Sequence, residues 1–208
     1  MYSISRLVHE DRIPDIPVFL DSPMAIDVTD IFQRYEHWLD DEARRLLQSG
    51  EPPLQFPGLQ MTRSADESRS INRVRGPCII MAASGMCNAG RIKHHLRQNI
   101  SHQRNTVLFV GYQADGTLGR EILEGRGQVR IHGRMYPVEA KVEKINGFSA
   151  HAGRKDLRRW LEGFQNTPKR VFLTHGEERV SLDLAETLRQ DLNLDVQVPQ
   201  YDSTVDLY

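Results

Sequence analysis

The sequence is poor in cysteine and has no long hydrophobic stretch, and each shortage excludes a class of protein. Its only cysteines are Cys78 and Cys87, without C-x-x-C spacing, so a disulfide framework is excluded and a reducing compartment is favoured. No apolar run approaches the roughly 20 residues of a membrane-spanning helix, and the N-terminus has no apolar segment of the kind found in signal peptides. We therefore expect a cytoplasmic protein without a membrane partner.

An excess of charge of one sign is also missing. The chain has 27 basic and 28 acidic side chains, which gives a formal net charge of −1 at pH 7. Because the overall field is weak, nucleic acid could be bound only through a local basic patch. A solvated helix surface is the alternative interpretation of such a patch. Two groups of cations are candidates for it: Arg63, Arg69, Arg73 and Arg75, and then Arg91, Lys93, His94, His95 and Arg97.

A recurring unit predicts the fold class. Continuous apolar runs without alternation are typical of strands buried on both faces, so we predict an α/β protein with parallel strands. Ligands bind at the carboxyl ends of such strands, and the loops that follow are expected to share one edge. Four runs are each followed by a polar loop and a helical pattern: PVFL at 17–20, CIIM at 78–81, TVLFV at 106–110 and RVFLT at 170–174.

Periodicity and turn residues predict the other elements. Apolar residues at helical spacing indicate helices over 154–164 and 178–192. Alternation around an HGR turn predicts an antiparallel hairpin over 128–145. The proline- and glycine-rich segment 49–61 is the best loop or lid candidate, and a domain boundary is expected within 112–128. The predicted buried stripe of the last helix contains Val180, Leu182, Leu184, Ala185, Leu188 and Leu192.

Two histidines stand where an apolar run meets a charged helix. His151 follows INGFSA, and His175 follows VFLT 24 residues later. Each can be explained locally, as a helix cap or a hydrogen-bonding partner, and Ser149 could cap the helix after His151. The other interpretation is that both histidines face one site.

Two glycine loops have the composition of an anion site. ASGMCNAGR and ADGTLGR combine small residues, hydroxyls and exposed amides at helix starts, and simple turns are the alternative. Arg91 and Arg120 follow glycines in these loops, where a guanidinium could pair with phosphate oxygens. Ser84 does not have the setting of a hydrolase nucleophile, because Ala82 and Met86 occupy the positions where a nucleophile elbow has glycine.

Five motifs in a fixed order resemble one protein family. DSPMA, SGMCNAGRIKHHL, GYQADGTLGR, GFSAHAGRKDL and FLTHGEE are similar to the β-CASP branch of the metallo-β-lactamase superfamily, over almost the whole chain. That branch includes RNA 3′-end-processing endonucleases related to the cleavage and polyadenylation specificity factor, and the ribonuclease J group. The resemblance implies a zinc-dependent ribonuclease that hydrolyses RNA phosphodiester bonds.

The resemblance also implies roles for individual residues. His151 would lie beside the scissile phosphate as a general acid or charge stabiliser, and His175 would be a ligand of one of two zinc ions. Single-stranded RNA would pass along the two glycine loops and the segment before His151. The implied RNA-binding residues are Ser84, Gly85, Arg91, Gly116, Thr117, Gly119, Arg120, Phe148 and Ser149.

The sequence departs from the family at its start. Complete members open with a half that bears H-x-H-x-D-H and supplies most zinc ligands, and no two of the eight histidines here have H-x-H spacing. A catalytic zinc usually has three protein ligands, so this chain alone is expected to lack a competent two-zinc centre and to be inactive. We interpret residues 1–112 as the C-terminal part of a β-CASP domain, with a parallel sheet and flanking helices. Residues 113–208 would be the returning half of a metallo-β-lactamase αββα sandwich, often called the RNA-specificity region.

The expected partners are single-stranded RNA and the missing N-terminal metallo-β-lactamase half, and a homodimer is left open. A non-catalytic RNA-binding or scaffolding module is the alternative function. The presence of both His151 and His175 disfavours it, because neither side chain is needed merely to hold the fold. The sequence leaves open whether the substrate is RNA or DNA and whether cleavage is endo- or exonucleolytic.

Overall fold

The structure is a computed structural model that describes residues 1–48, 50, 52, 54–148 and 151–205. The chain divides into two compact units, a first unit Met1–Gly147 and a second unit Phe148–Tyr208. Parallel strands and helices make it a mixed α/β protein, as the four recurring units predict. Within the part of the chain that the structure describes, no helix has both the length and the apolar character needed to cross a membrane.

Helices and strands are interspersed along the chain, and a strand is present within each of the four predicted runs. The helices are α1 (Tyr2–His9), α2 (Pro23–Arg34), α3 (Asp41–Gln48), α4 (Ala65–Ser70), α5 (Ile92–Asn99), α6 (Leu118–Leu123), α7 (Arg154–Glu162) and α8 (Glu178–Leu192), with short 3-10 helices at Glu36–Trp38 and Ile71–Arg73. The strands are β1 (Val18–Asp21), β2 (Leu59–Met61), β3 (Ile79–Ala82), β4 (Thr106–Phe109), β5 (Gln128–Ile131), β6 (Arg134–Pro137), β7 (Lys141–Lys144), β8 (Val171–Phe172) and β9 (Val196–Gln197).

β1 is the central strand of a parallel sheet with the order β2, β1, β3. Val18 pairs with Leu59 on one side and with Ile79 on the other. All four residues of β1 are buried, as expected of a continuous apolar run covered on both faces. The prediction of a loop over 49–61 is wrong for the end of that segment, which forms β2. Residues 49, 51 and 53 of the segment lie outside the described residues.

β4 belongs to a different sheet, in which it pairs in parallel with β7. β5 and β6 form the predicted antiparallel hairpin, and its turn residues, His132 and Gly133, have φ values of 48° and 79°. Positive φ at both positions is what a two-residue turn needs to match the twist of the strands. The hairpin is shorter than predicted because β7 pairs with β4 instead. The buried core of this region consists of Cys87, Leu96, Ile100, Phe109, Leu118, Ile122, Val129 and Ile131.

This core crosses the predicted boundary between residues 112 and 113. Leu96 and Phe109 precede the boundary, Ile122 and Val129 follow it, and all four belong to one buried cluster. The division into compact units therefore falls later, between residues 147 and 148. Compactness does not define the borders of family domains, so a domain border at 112/113 stays a prediction.

In the second unit, the parallel pair β8 and β9 packs with α7 and α8. α8 has the predicted bounds, but Val180 and Leu182 are 53% and 49% exposed, so the predicted stripe is wrong at these two positions. The reason is that both residues lie at the edges of the helical face centred on Ala185 and Leu188. The buried core of the second unit consists of Leu161, Ala185, Leu188, Leu194 and Val196.

Candidate nucleic-acid interface

The loops that follow β3 and β4 are joined directly. We call residues 83–91 the β3 loop and residues 110–117 the β4 loop. The buried side chain of Gln113 donates from Nε2 to the carbonyl of Gly85 at 3.0 Å. In the first turn of α6, the N–H of Gly119 donates to another carbonyl of the β3 loop at 3.1 Å. The prediction that all four loops share one sheet edge is wrong, because β4 and β8 lie in other sheets. The prediction that these two loops lie close together is confirmed.

Gly90 lies near the end of the β3 loop, at a position that only glycine can occupy. Its φ is 78°, and a Cβ atom there would lie 2.3 Å from the carbonyl oxygen of Ala83. That carbonyl accepts a hydrogen bond from the N–H of Ile92 at 3.1 Å, at the start of α5, so it cannot move without opening the loop. This glycine is required by backbone packing, and its presence is not by itself evidence of phosphate binding.

Replacing Gly90 with alanine is expected to lower the free energy of unfolding of the first unit by about 2 to 3 kcal/mol, because a side chain at positive φ is strained and its methyl group overlaps a carbonyl. Urea unfolding followed by circular dichroism measures this loss. Gly85→Ala is the matched control, since that position in the same loop has open space around a Cβ. Equal losses in the two variants would contradict the packing argument.

Asp21, the last residue of β1, is the centre of a buried network. Its side chain is fully buried and accepts hydrogen bonds from Thr62 Oγ1 at 2.5 Å and Ser68 Oγ at 2.6 Å. Arg91 Nη1 and His95 Nε2 each lie 2.6 Å from one of its two carboxylate oxygens. The network therefore ties the end of β1 to α4, to α5 and to the end of the β3 loop. We call these five residues the Asp21 network.

The network also determines the charge of Asp21. Burial alone would raise the pKa of this carboxyl. Hydrogen bonds from the four neighbouring side chains, first those from Ser68 and Thr62, outweigh burial and lower the pKa below its usual value. Asp21 is therefore ionised at neutral pH, and its charge faces the Arg91 guanidinium.

Arg91 is held within the protein. Besides Asp21, its guanidinium donates to the backbone carbonyls of Thr62 at 2.7 Å and Arg63 at 2.5 Å, and its side chain is only 20% exposed. These contacts give Arg91 a positioning role, because they anchor the end of the β3 loop to the end of β1 and to the segment between β2 and α4. Direct contact between Arg91 and an RNA phosphate stays a prediction.

Other predicted RNA-binding residues of the first unit also have protein partners. Thr117 caps α6, since its Oγ1 accepts the N–H of Arg120 at 3.2 Å and donates to the carbonyl of Ala114 at 2.7 Å. Arg120 Nε donates to Glu124 Oε1 at 2.6 Å. A Cβ at Gly119 would lie 1.8 Å from Gln113 Oε1, so this glycine permits close packing of the two loops.

Gly85 and Gly116 differ from these residues because they are exposed. Nothing lies within 4 Å of a Cβ atom built at either glycine, so a ligand backbone can approach both closely. Ser84, beside Gly85, donates from Oγ to the carbonyl of Ala89 at 3.1 Å and stabilises the loop from within. The structure thus brings the two predicted loops together and leaves on each an exposed glycine with open space around a Cβ atom.

The two junction histidines both lie in the second unit and are exposed. His175 has a φ of 65° and lies between β8 and α8. The N-cap of α8 is Glu177, so the helix-cap interpretation of His175 is wrong, and the N-cap of α7 is Gly153. Ser149 itself lies outside the described residues.

The described residues do not form a complete metal site. They include no group of three or more histidine, cysteine, aspartate and glutamate side chains that could hold a metal ion. A catalytic zinc usually has three protein ligands, so this donor set does not fit a complete zinc centre. No chemical step through zinc follows from these residues.

Sequence reasoning missed the Asp21 network as a unit. The DSPMA motif contains Asp21, but Thr62, Ser68 and His95 come 41, 47 and 74 positions later. The sequence did indicate that Asp21 has partners, because a carboxylate at the end of a strand buried on both faces needs hydrogen-bond donors around it. It did not indicate which residues these are.

The fold and these loops define an α/β protein with a loop surface open to a ligand backbone. The chain matches the Beta-Casp domain over residues 1–122 and the Zn-dependent metallo-hydrolase RNA specificity domain over residues 135–199. It therefore belongs to the β-CASP family of metallo-β-lactamase-type nucleases, as the five motifs predict.

Several curated proteins are similar to the chain. Ribonuclease TTHA0252 of Thermus thermophilus is 40% identical over 180 residues, which cover 86% of this chain and 41% of that protein. The transcription termination factor FttA of Methanosarcina mazei is 32% identical over 203 residues, covering 95% and 32%. An RNase J-like protein of Methanocaldococcus jannaschii is 30% identical over 196 residues, covering 94% and 44%. The chain thus spans less than half the length of these relatives.

Proposed function

We propose that this chain is the C-terminal part of a zinc-dependent ribonuclease that hydrolyses RNA phosphodiester bonds. The observation that supports the proposal most is that His151 and His175 both lie within the match to the Zn-dependent metallo-hydrolase RNA specificity domain. In the proposal, His151 donates a proton to the leaving oxygen and His175 provides one zinc ligand. The other ligands of two zinc ions come from an N-terminal metallo-β-lactamase half outside this chain, so the chain alone is inactive.

The exposed glycines suggest how the first unit contacts RNA. At Gly85 and Gly116 a phosphodiester backbone can approach the protein backbone, while Thr117, Gly119 and Arg120 hold the loop that presents Gly116. In the second unit, Phe148 is 56% exposed, and its ring can stack on a base. The RNA contact of Ser149 is proposed from its motif alone.

A hybrid enzyme tests this proposal directly. In Ribonuclease TTHA0252, the aligned segment is replaced by the matching residues of this chain, so that the relative supplies the rest of the protein. We expect the hybrid to bind about two zinc ions and to hydrolyse single-stranded RNA, with both properties lost on chelation. The 208-residue chain alone is expected to retain little zinc after dialysis and to leave RNA intact. Elemental mass spectrometry and gel analysis of labelled RNA provide the two measurements.

The hybrid also distinguishes the proposed ribonuclease from the alternative function, a non-catalytic module. A folded hybrid that binds zinc and RNA but does not cleave the RNA would favour a non-catalytic RNA-binding or scaffolding module. A chain that binds about two zinc ions by itself would overturn the assignment of most ligands to another segment.

A further inference from the structure

A cavity of about 170 Å³ lies in the first unit, between α4 with its following 3-10 helix and α5. Its wall is basic: Arg69, Arg91 and Arg97 line it together with His94 and His95. Ligand pockets for whole small molecules usually measure about 300 Å³ or more. The size therefore suits one charged group of a ligand with some water.

The carboxylates next to the cavity leave much of this positive charge uncompensated. The buried Asp21 is shared by Arg91 and His95. Asp66 pairs with Arg69, but both side chains are largely exposed, and exposed ion pairs are weak enough to be exchanged for another anion. Arg97 is exposed on α5, and in the described ranges no carboxylate pairs with it.

Two histidines also line the cavity. His95 is buried, its Nε2 contacts Asp21, and its Nδ1 has no hydrogen-bond partner among the described residues. The ring of His94 lies 4.7 Å, centroid to centroid, from that of His132. Burial, and then the nearby His132, Arg97, His95 and Arg69, lower the pKa of His94. Of these neighbours, Arg97 and Arg69 carry the positive charge that would attract an anion.

We propose that this cavity, which we call the α4–α5 cavity, binds a phosphate group held by Arg97 and Arg69 above the Asp21 network. Guanidinium groups bind phosphate oxygens in paired, charge-assisted hydrogen bonds, and the Asp21 network holds Arg91 rigidly at the base of the site. The phosphate belongs either to an RNA strand or to a free nucleotide. Only the first source rests on the function proposed above, and none of the residues that line the cavity is a glycine of the two loops.

The 208-residue chain with Arg97→Gln tests this proposal, with Arg104→Gln as the matched control. Arg104 is also exposed in the first unit, and its replacement removes the same charge, but it does not line the cavity. Fluorescence anisotropy gives the affinity for a labelled single-stranded oligoribonucleotide at several salt concentrations. If the phosphate belongs to RNA, Arg97→Gln lowers the affinity several-fold and reduces the slope of log affinity against log salt by about 0.7, whereas Arg104→Gln changes neither.

A second measurement identifies a free nucleotide as the source. Adenosine monophosphate and inorganic phosphate are titrated separately while the His94 ring is followed by NMR. Saturable shifts that Arg97→Gln abolishes, together with unchanged RNA affinity, support the cavity and assign the phosphate to a free ligand. Equal effects of the two arginine variants on RNA, with no saturable shift from either small anion, overturn the proposal. RNA hydrolysis by the hybrid is scored separately, so an inactive hybrid with a specific Arg97 effect rejects the proposed function and not the cavity.

Discussion

Replacing Asp21 with alanine is expected to lower the free energy of unfolding of the first unit by about 3 to 5 kcal/mol, the usual cost of removing one partner from a buried ion pair. The fully buried carboxylate contacts Arg91 and His95, and it also accepts hydrogen bonds from two hydroxyls. Without it, the guanidinium stays largely buried and has no counterion. Urea unfolding, with a probe for the first unit, measures the loss.

Asp27→Ala is the control for this prediction. Asp27 also lies 2.6 Å from an arginine, Arg63, but both side chains are more than half exposed. Because exposed ion pairs contribute little, this variant is expected to have nearly the stability of the unchanged protein. A similar loss in the two variants would mean that burial of Asp21 is not the cause.

The pH dependence of stability gives a second check on Asp21. Since its pKa is lower in the folded protein than in the unfolded chain, its contribution is complete above the unfolded value, about 4, and is lost as the pH falls through the folded value. The stability difference between the unchanged protein and Asp21→Asn should therefore shrink below about pH 4. A constant difference from neutral pH to pH 3 would rule out this explanation.

Replacing His151 with alanine in the hybrid enzyme is expected to lower kcat for RNA hydrolysis by about 10²- to 10⁴-fold, the usual contribution of a general acid. His151 is exposed just before α7, where a substrate can reach it. Single-turnover cleavage of labelled RNA measures the rate, and zinc content is determined on the same samples. Because His151 is proposed to act on the leaving oxygen, the zinc content should not change.

Two further variants make the His151 result specific. His102→Ala removes an exposed histidine of the first unit that has no proposed role, and the rate should stay the same. His175→Ala is expected to reduce zinc content as well as rate, because His175 is proposed as a ligand. If His151→Ala retains most of the activity, or loses zinc together with rate, its assignment as a general acid is wrong.

The candidate site could be predicted from the sequence only in part. The motifs identified the β3 and β4 loops, and hydrogen bonds such as that from Gln113 to Gly85 confirm that these loops meet. The motifs could not distinguish glycines that are open to a ligand from glycines that close packing requires. Gly90 and Gly119 are needed for close packing, whereas Gly85 and Gly116 are open to a ligand, and that difference depends on atoms from other parts of the chain.

Local patterns in the sequence determined the elements of this protein: strands covered on both faces need apolar residues at each position, and a two-residue turn needs positive φ. The tertiary structure alone decided which strands share a sheet and what Arg91 contacts. The paired atoms of Arg91 and Asp21 belong to residues 70 positions apart, and β7 joined β4 instead of extending the hairpin. A periodic pattern indicates whether each residue needs to be buried or exposed. It does not identify the residues that will contact it, because these come together only when distant segments pack and compete for the same hydrogen bonds and buried surface.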